Sequence, residues 1–123
     1  MIQLRVALLA VTSTFLLSGC AIKPAETVTV YKSKNAVQCE TSGMSVQDSA
    51  NTLSSYGVTV KSSHCGVLTE TMFASVCGAK TGDIVFHDIG AREEALAAEL
   101  GYTNIDALKT AELASGFAAV DCK

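Results

Sequence analysis

The chain has no tryptophan, and its one proline is Pro24. It has no run of lysine or arginine. It has no CxxC, no HxxxH, no GxSxG and no SxxK. Each absence excludes something. Without a basic stripe there is no electrostatic footprint for a nucleic acid and no polybasic attraction to anionic lipid. Without closely paired cysteines or histidines the usual ligand spacings for structural zinc are missing. The longest uncharged apolar stretch, Val6–Leu17, is short of the roughly 20 residues that a bilayer-spanning helix needs.

That stretch is nevertheless the most informative part of the chain. A short n-region with Arg5 precedes it, and Leu17-Ser18-Gly19-Cys20 closes it. Its length and flanks fit the apolar core of a secretory signal. The four closing positions resemble a lipobox, and the segment resembles a bacterial lipoprotein signal peptide. The resemblance covers only the first 20 residues. It implies cleavage after residue 19 and lipidation of the Cys20 thiol, with the membrane as a partner through that lipid. More than one acyl chain suits stable anchoring. Ala21 stands where an aspartate commonly signals inner-membrane retention, so the outer membrane is expected in a two-membrane cell. Residues 20–26 then form the lipidated N-terminus and a short tether, Ala21–Glu26, that reaches about 20 Å when extended, and 27–123 form one domain.

Beyond residue 19 there are eight bases and twelve acids, a formal charge of −4. With Cys20 lipidated, Cys39, Cys65, Cys77 and Cys122 remain. An even count in an exported chain predicts two disulfides. Four cysteines allow three pairings, of which Cys39–Cys65 with Cys77–Cys122 is the one favoured from sequence.

β-branched and aromatic residues predict a strand over Thr27–Tyr31. Ala36–Glu40 reads as a short strand or as the crossover to a helix. Ser45 with Asp48 resembles a capping box; Val46, Ala50 and Leu53 share one helical face; Gly57 closes the helix. A strand is expected over Val58–Ser62. Leu68–Ala74 reads as a helical turn or Met72–Cys77 as another strand, the strand being favoured, and Phe73–Cys77 with Ile84–Ile89 as the arms of a hairpin. Ala91–Gly101 is the strongest helix on propensity. A shorter helix over Ile105–Leu113 is capped by Asn104, and Phe117–Cys122 is a last strand. The order predicts an α+β fold: a small two-layer sandwich with one mainly antiparallel sheet and two or three helices, of the ferredoxin-like split βαβ plan, stapled by disulfides.

Several residues invite chemistry. His64-Cys65 suggests a Cys/His nucleophile, but neighbours on a strand face opposite ways. His64, Cys65, Cys77 and His87 suggest zinc, yet Cys65 to Cys77 spans 12 positions and Cys77 to His87 spans 10, which matches no ligand pattern. His87 shares a strand face with Val85 and Ile89 and reads as a half-buried structural histidine. Glu93, Glu94 and Glu99 read as a solvated helix face. Gly78–Gly82 reads as a turn rather than a phosphate loop. No cofactor or metal is expected.

These readings favour a membrane-anchored envelope lipoprotein that acts as a non-enzymatic binding or structural module, with another envelope protein as partner. The alternatives are a small thiol or redox enzyme using Cys65 or Cys77 with a histidine, and an exported hydrolase inhibitor.

Overall fold

The computed structural model describes Gly19, residues 26–110 and residues 115–123. Five strands form one antiparallel sheet: β1 (Thr27–Ser33), β2 (Val60–Leu68), β3 (Asp83–Gly90), β4 (Thr103–Asn104) and β5 (Phe117–Val120). Their spatial order is β4-β1-β3-β2-β5. β1 and β2 both run antiparallel to β3. They are therefore parallel to each other, with β3 inserted between them. This is the split βαβ plan, extended by β5 on the outer edge of β2.

α1 (Val46–Ser55) starts where the local chemistry says it should. Ser45 is in an extended conformation, and its hydroxyl accepts from the Asp48 amide at 3.0 Å. Gly57, at φ +91°, supplies the left-handed residue that ends it. Replacing Ser45 with alanine should cost about 1 kcal/mol, read as a lower urea midpoint at unchanged slope. The buried residues of α1 are Ser49 and Leu53. Val46 and Ala50 of the expected stripe are only half-buried, so the helix is rolled toward its serine.

The strongest predicted helix is shorter than its propensity suggests. A 3₁₀ turn, Ala91–Glu93, leads into α2 (Glu94–Glu99), and Gly101 closes it at φ +90°. The expected helix over Ile105–Leu113 is a 3₁₀ turn, Ile105–Leu108, whose amide at Asp106 is capped by the Asn104 side chain. Residues 111–113 of that expectation lie outside the described residues.

Two strand readings are corrected. β2 runs on to Leu68 instead of stopping at Ser62, with a bulge between Val60 and Ser62. The hairpin is β2 with β3, and Phe73–Cys77 is not one of its arms. The backbone around 73–79 is engaged with the turn at 36–41 instead. Gly78 donates to the Gln38 carbonyl at 2.9 Å, Gln38 donates to the Ala79 carbonyl at 2.9 Å, and the Gln38 amide side chain donates to the Ala74 carbonyl. Ala36–Glu40 is irregular, touching Thr41 and Lys80 through isolated bridges at Val37.

The sheet has apolar residues on both faces. On the helix face Val30, Leu53, Val58, Ile89, Ala97 and Tyr102 form the larger cluster. On the other, Ile84, Phe86 and Ile105 form the smaller one, with Tyr31, Leu68, Leu108 and Phe117 against it.

The disulfides are Cys39–Cys77 and Cys65–Cys122, not the pairing favoured from sequence. The register supplies the reason. Cys65 pairs with Val120 in the β2–β5 ladder, which brings Cys122 beside it. Cys77 follows the loop back to the turn that carries Cys39.

Candidate functional site

β3 is the central strand, and two of its neighbouring residues organise polar clusters on opposite faces. His87 points to the helix face and Asp88 to the other, as the alternation of a strand requires.

His87 has no exposed surface, so it is more deeply buried than its sequence position suggested. Its Nε2 lies 2.8 Å from the Ser49 hydroxyl of α1, and its Nδ1 lies 2.8 Å from the Ser63 hydroxyl of β2. Ser49 Oγ lies 2.6 Å from the Tyr102 hydroxyl, and Tyr102 donates to the Ser49 carbonyl at 3.3 Å. Two proton arrangements satisfy every member, both with a neutral imidazole. In one, Tyr102 donates to the carbonyl, Ser49 to Tyr102, Nε2–H of His87 to Ser49, and Ser63 to Nδ1; in the other, Nδ1–H of His87 donates to Ser63, Ser49 to Nε2, and Tyr102 to the Ser49 hydroxyl. Burial is the main reason its pKa falls from 6.5 to about 4; His64 lowers it further, and Asp88 offsets this in part.

Ser63 is exposed and its hydroxyl lies within hydrogen-bond distance of a histidine nitrogen, which is the spacing of a serine with its base. The strength of the base argues against that use. A general base works best with a pKa near the operating pH, and an imidazole that titrates near 4 withdraws a hydroxyl proton poorly at neutral pH.

On the opposite face Asp88 accepts hydrogen bonds from Thr29 of β1 and Ser62 of β2, one to each carboxylate oxygen. Both partners sit directly across the ladder from it. His64 Nε2 stands 3.7 Å from Asp88 and 3.1 Å from Ser62 Oγ, and its ring stacks on Phe86 at 5.0 Å. Partial burial pushes the Asp88 carboxyl up. The hydrogen bonds from Ser62 and Thr29, with His64 alongside, outweigh that and hold it below its ordinary value.

Ser62, His64 and Asp88 are the residue types of a hydrolase triad, but the relay is ordered differently. The single Ser62 proton goes to Asp88, so His64 meets Ser62 as a donor and not as its base. The cluster is a clamped carboxylate beside a half-exposed histidine.

The four residues of the suggested zinc set are not assembled. His64 and His87 lie on opposite faces, and Cys65 and Cys77 are in different disulfides. Among the described residues no three of His, Cys, Asp and Glu converge as a metal would require. The Cys65/His64 nucleophile is likewise not formed: Cys65 is bonded to Cys122, and His64 turns to Phe86.

The acidic helix face is only partly solvent-facing. Glu93 accepts from the Thr59 amide at 2.7 Å and from its hydroxyl at 2.9 Å, which fixes the entry to β2. Glu94 accepts from the Asn104 side chain at 2.7 Å, and Glu99 is exposed. The turn lies earlier than the Gly78–Gly82 reading, over Val76–Ala79, closed by the Ala79 amide on the Val76 carbonyl at 3.1 Å with Gly78 at φ +85°; Lys80 instead pairs with Val37 in an isolated bridge.

Beside these clusters β5 covers β2 only over Cys65–Leu68. Where β5 stops, a shallow groove is lined by Ser63, His64, Val120 and Asp121. Cys20 and the rest of the lipobox-like segment except Gly19 lie outside the described residues. Among the described residues no helix is long and apolar enough to cross a membrane.

Sequence reasoning named His64 and His87 but gave no role to Ser49, Ser62, Ser63, Thr29, Tyr102 or Asp88. One signal was present. Ser49 stands four positions before Leu53, on the same helical stripe as the most buried leucine.

Comparisons with protein-family models, with curated proteins and with solved structures returned no match.

Proposed function

We propose that this chain is a lipid-anchored envelope protein whose folded part is a binding or structural module rather than a catalyst. The observation that supports it most is the state of the cysteines. Once Cys20 is set aside as the lipid carrier, the remaining four are paired with each other. A paired sulfur is not a thiolate nucleophile, so the thiol-enzyme alternative loses its reactive group. The pairing also suits an oxidising compartment outside the cytoplasm.

The position of β1 gives the anchor its geometry. β1 begins at Thr27, and residues 21–26 span at most about 20 Å. A domain on so short a tether stays near the membrane that holds it, and the outer membrane is the expected one given Ala21. The groove beside Ser63 and Val120, next to the part of β2 that β5 does not cover, is the surface we assign to another envelope protein.

Changing Cys20 to serine tests the anchor. The variant should move from the membrane fraction to the soluble fraction while both disulfides form, as read by non-reducing mass analysis. Retention of the variant in membranes after a high-salt wash would overturn the lipid reading. Crosslinking from Val120 in cells tests the partner. One specific protein adduct, lost on changing neighbouring groove residues, is expected of a binding module.

A further inference from the structure

We propose that Cys39–Cys77 is a site of thiol–disulfide exchange, opened and re-formed in the folded protein by a dithiol protein while Cys65–Cys122 stays closed. The proposal does not depend on the lipid anchor.

The two bridges differ in access. Cys39 and Cys77 are both exposed residues. Cys65 is 5% exposed and lies within the β2–β5 ladder, although Cys122 is exposed. Exchange requires a thiolate to reach one sulfur and the other to leave as a thiolate. Attack on either sulfur of Cys39–Cys77 releases the thiolate of an exposed cysteine. Attack on Cys122 would release Cys65 as a buried thiolate among apolar neighbours, and burial raises the pKa of a thiol and makes it a poor leaving group. The accessible bridge therefore reacts first, without the fold having to open.

Backbone conformation adds to this. Cys39 sits at φ +67°, a left-handed conformation that non-glycine residues adopt only at a cost. Opening the bridge frees Cys39 from one of the constraints that hold it there.

The surroundings make the reaction reversible. Hydrogen bonds from Gly78 to the Gln38 carbonyl, from Gln38 to the Ala79 carbonyl and from Thr81 to the Ala36 carbonyl flank the bridge. None of them depends on the sulfurs. They keep Cys39 and Cys77 adjacent after reduction, so the bridge re-forms as an intramolecular step at high effective concentration.

The chemistry balances with the dithiol as the reductant. Its first thiolate attacks one bridge sulfur, forms a mixed disulfide and expels the other sulfur as a thiolate. Its second thiolate then attacks the mixed disulfide, closes the partner's own disulfide and releases the remaining cysteine. Two electrons pass to the bridge, and the two protons of the partner end on Cys39 and Cys77.

Opening has a local consequence. The loop at 69–82 carries Met72, which is 97% exposed, and Val76, which is 60% exposed. Cys77 is its covalent tie to the 36–41 turn. Reduction removes the covalent tie and leaves the loop held by its hydrogen bonds and by Phe73 packed beside Gly82.

The test uses the full chain in mild detergent under native conditions, with reduced thioredoxin as the dithiol probe. Samples are acid-quenched over time, alkylated and mapped by mass spectrometry. Cys39 and Cys77 should become alkylated about tenfold or more faster than Cys65 and Cys122, and oxidised protein should return when the reductant is removed. Concurrent labelling of all four cysteines, or earlier labelling of Cys65 and Cys122, would overturn the proposal. A C39S/C77S variant separates local from global opening. Its Cys65–Cys122 bridge should remain as slow as in the parent, and fast labelling there would mean that Cys39–Cys77 holds the whole fold closed.

Discussion

Between pH 6.5 and pH 4 the folded protein should lose up to about 3 kcal/mol of stability to a single residue, His87. The unfolded chain binds a proton at that histidine near pH 6.5, and the folded chain refuses it until about pH 4. Above pH 6.5 both states are neutral there and His87 contributes no pH dependence. As pH falls below 6.5 the unfolded state gains a proton that the folded state does not, so stability declines. The decline levels off near pH 4, where the folded state takes the proton as well. All four polar partners in the chain around His87 are neutral: three hydroxyls and a carbonyl. The nearest acid along the strand, Asp88, is turned to the far face. Asp88 adds a separate loss. Its stabilising contribution is present above the ordinary carboxylate pKa and disappears as pH falls through its lowered value, so it acts below about pH 4. Urea melts across this range give the measurement. Changing His87 to glutamine keeps a donor and an acceptor but removes the titration, and should flatten the slope between pH 6.5 and 4 whatever it does to stability at neutral pH. An unchanged slope in that variant would assign the acid sensitivity elsewhere.

Changing Ile89 to alanine should cost about 3 kcal/mol, within the range of roughly 2–5 for such truncations in a packed core. Ile89 is fully buried in the larger cluster. It sits on the central strand across from Val28 and Val60, so its side chain lies where both flanking strands meet the helices. A small domain has few residues in that position, and a total stability of roughly 5–15 kcal/mol leaves little reserve. Val120 is the matched control. It is 45% exposed on the outermost strand, and its change to alanine should stay within about 0.5 kcal/mol. Equal losses at the two positions would mean that β5 is as central to the core as β3.

The parts of this fold that were legible in the sequence are those governed by local chemistry. Ser45 and Gly57 bound α1 because capping needs only nearby backbone groups. Gly101 closes α2 for the same reason. The split βαβ plan was legible because the order of elements restricts the topologies that remain. What was misread depends on partners far along the chain. Met72–Cys77 has the residues of a strand, but Gln38 had already engaged its backbone. The cysteine pairing follows from the β2–β5 register, which no spacing reveals. The His87 chain is built from serines and a tyrosine, residue types that usually face water. Only the packing of α1 and of the segment after α2 onto β3 turns Ser49 and Tyr102 inward.

The place of β3 also dictates the order in which the sheet can be assembled. β1 and β2 come first along the chain, yet neither pairs with the other; each waits for the strand that lies between them. β2 meets β3 across the 69–82 loop, whereas the partners of β1 on β3 lie roughly 50 to 60 positions away, a separation that slows pairing. Pairing β2 with β3 therefore closes a shorter loop than pairing β1 with β3, and because every strand of the sheet other than β4 and β5 pairs with β3, no sheet forms before Asp83 and the residues after it are available.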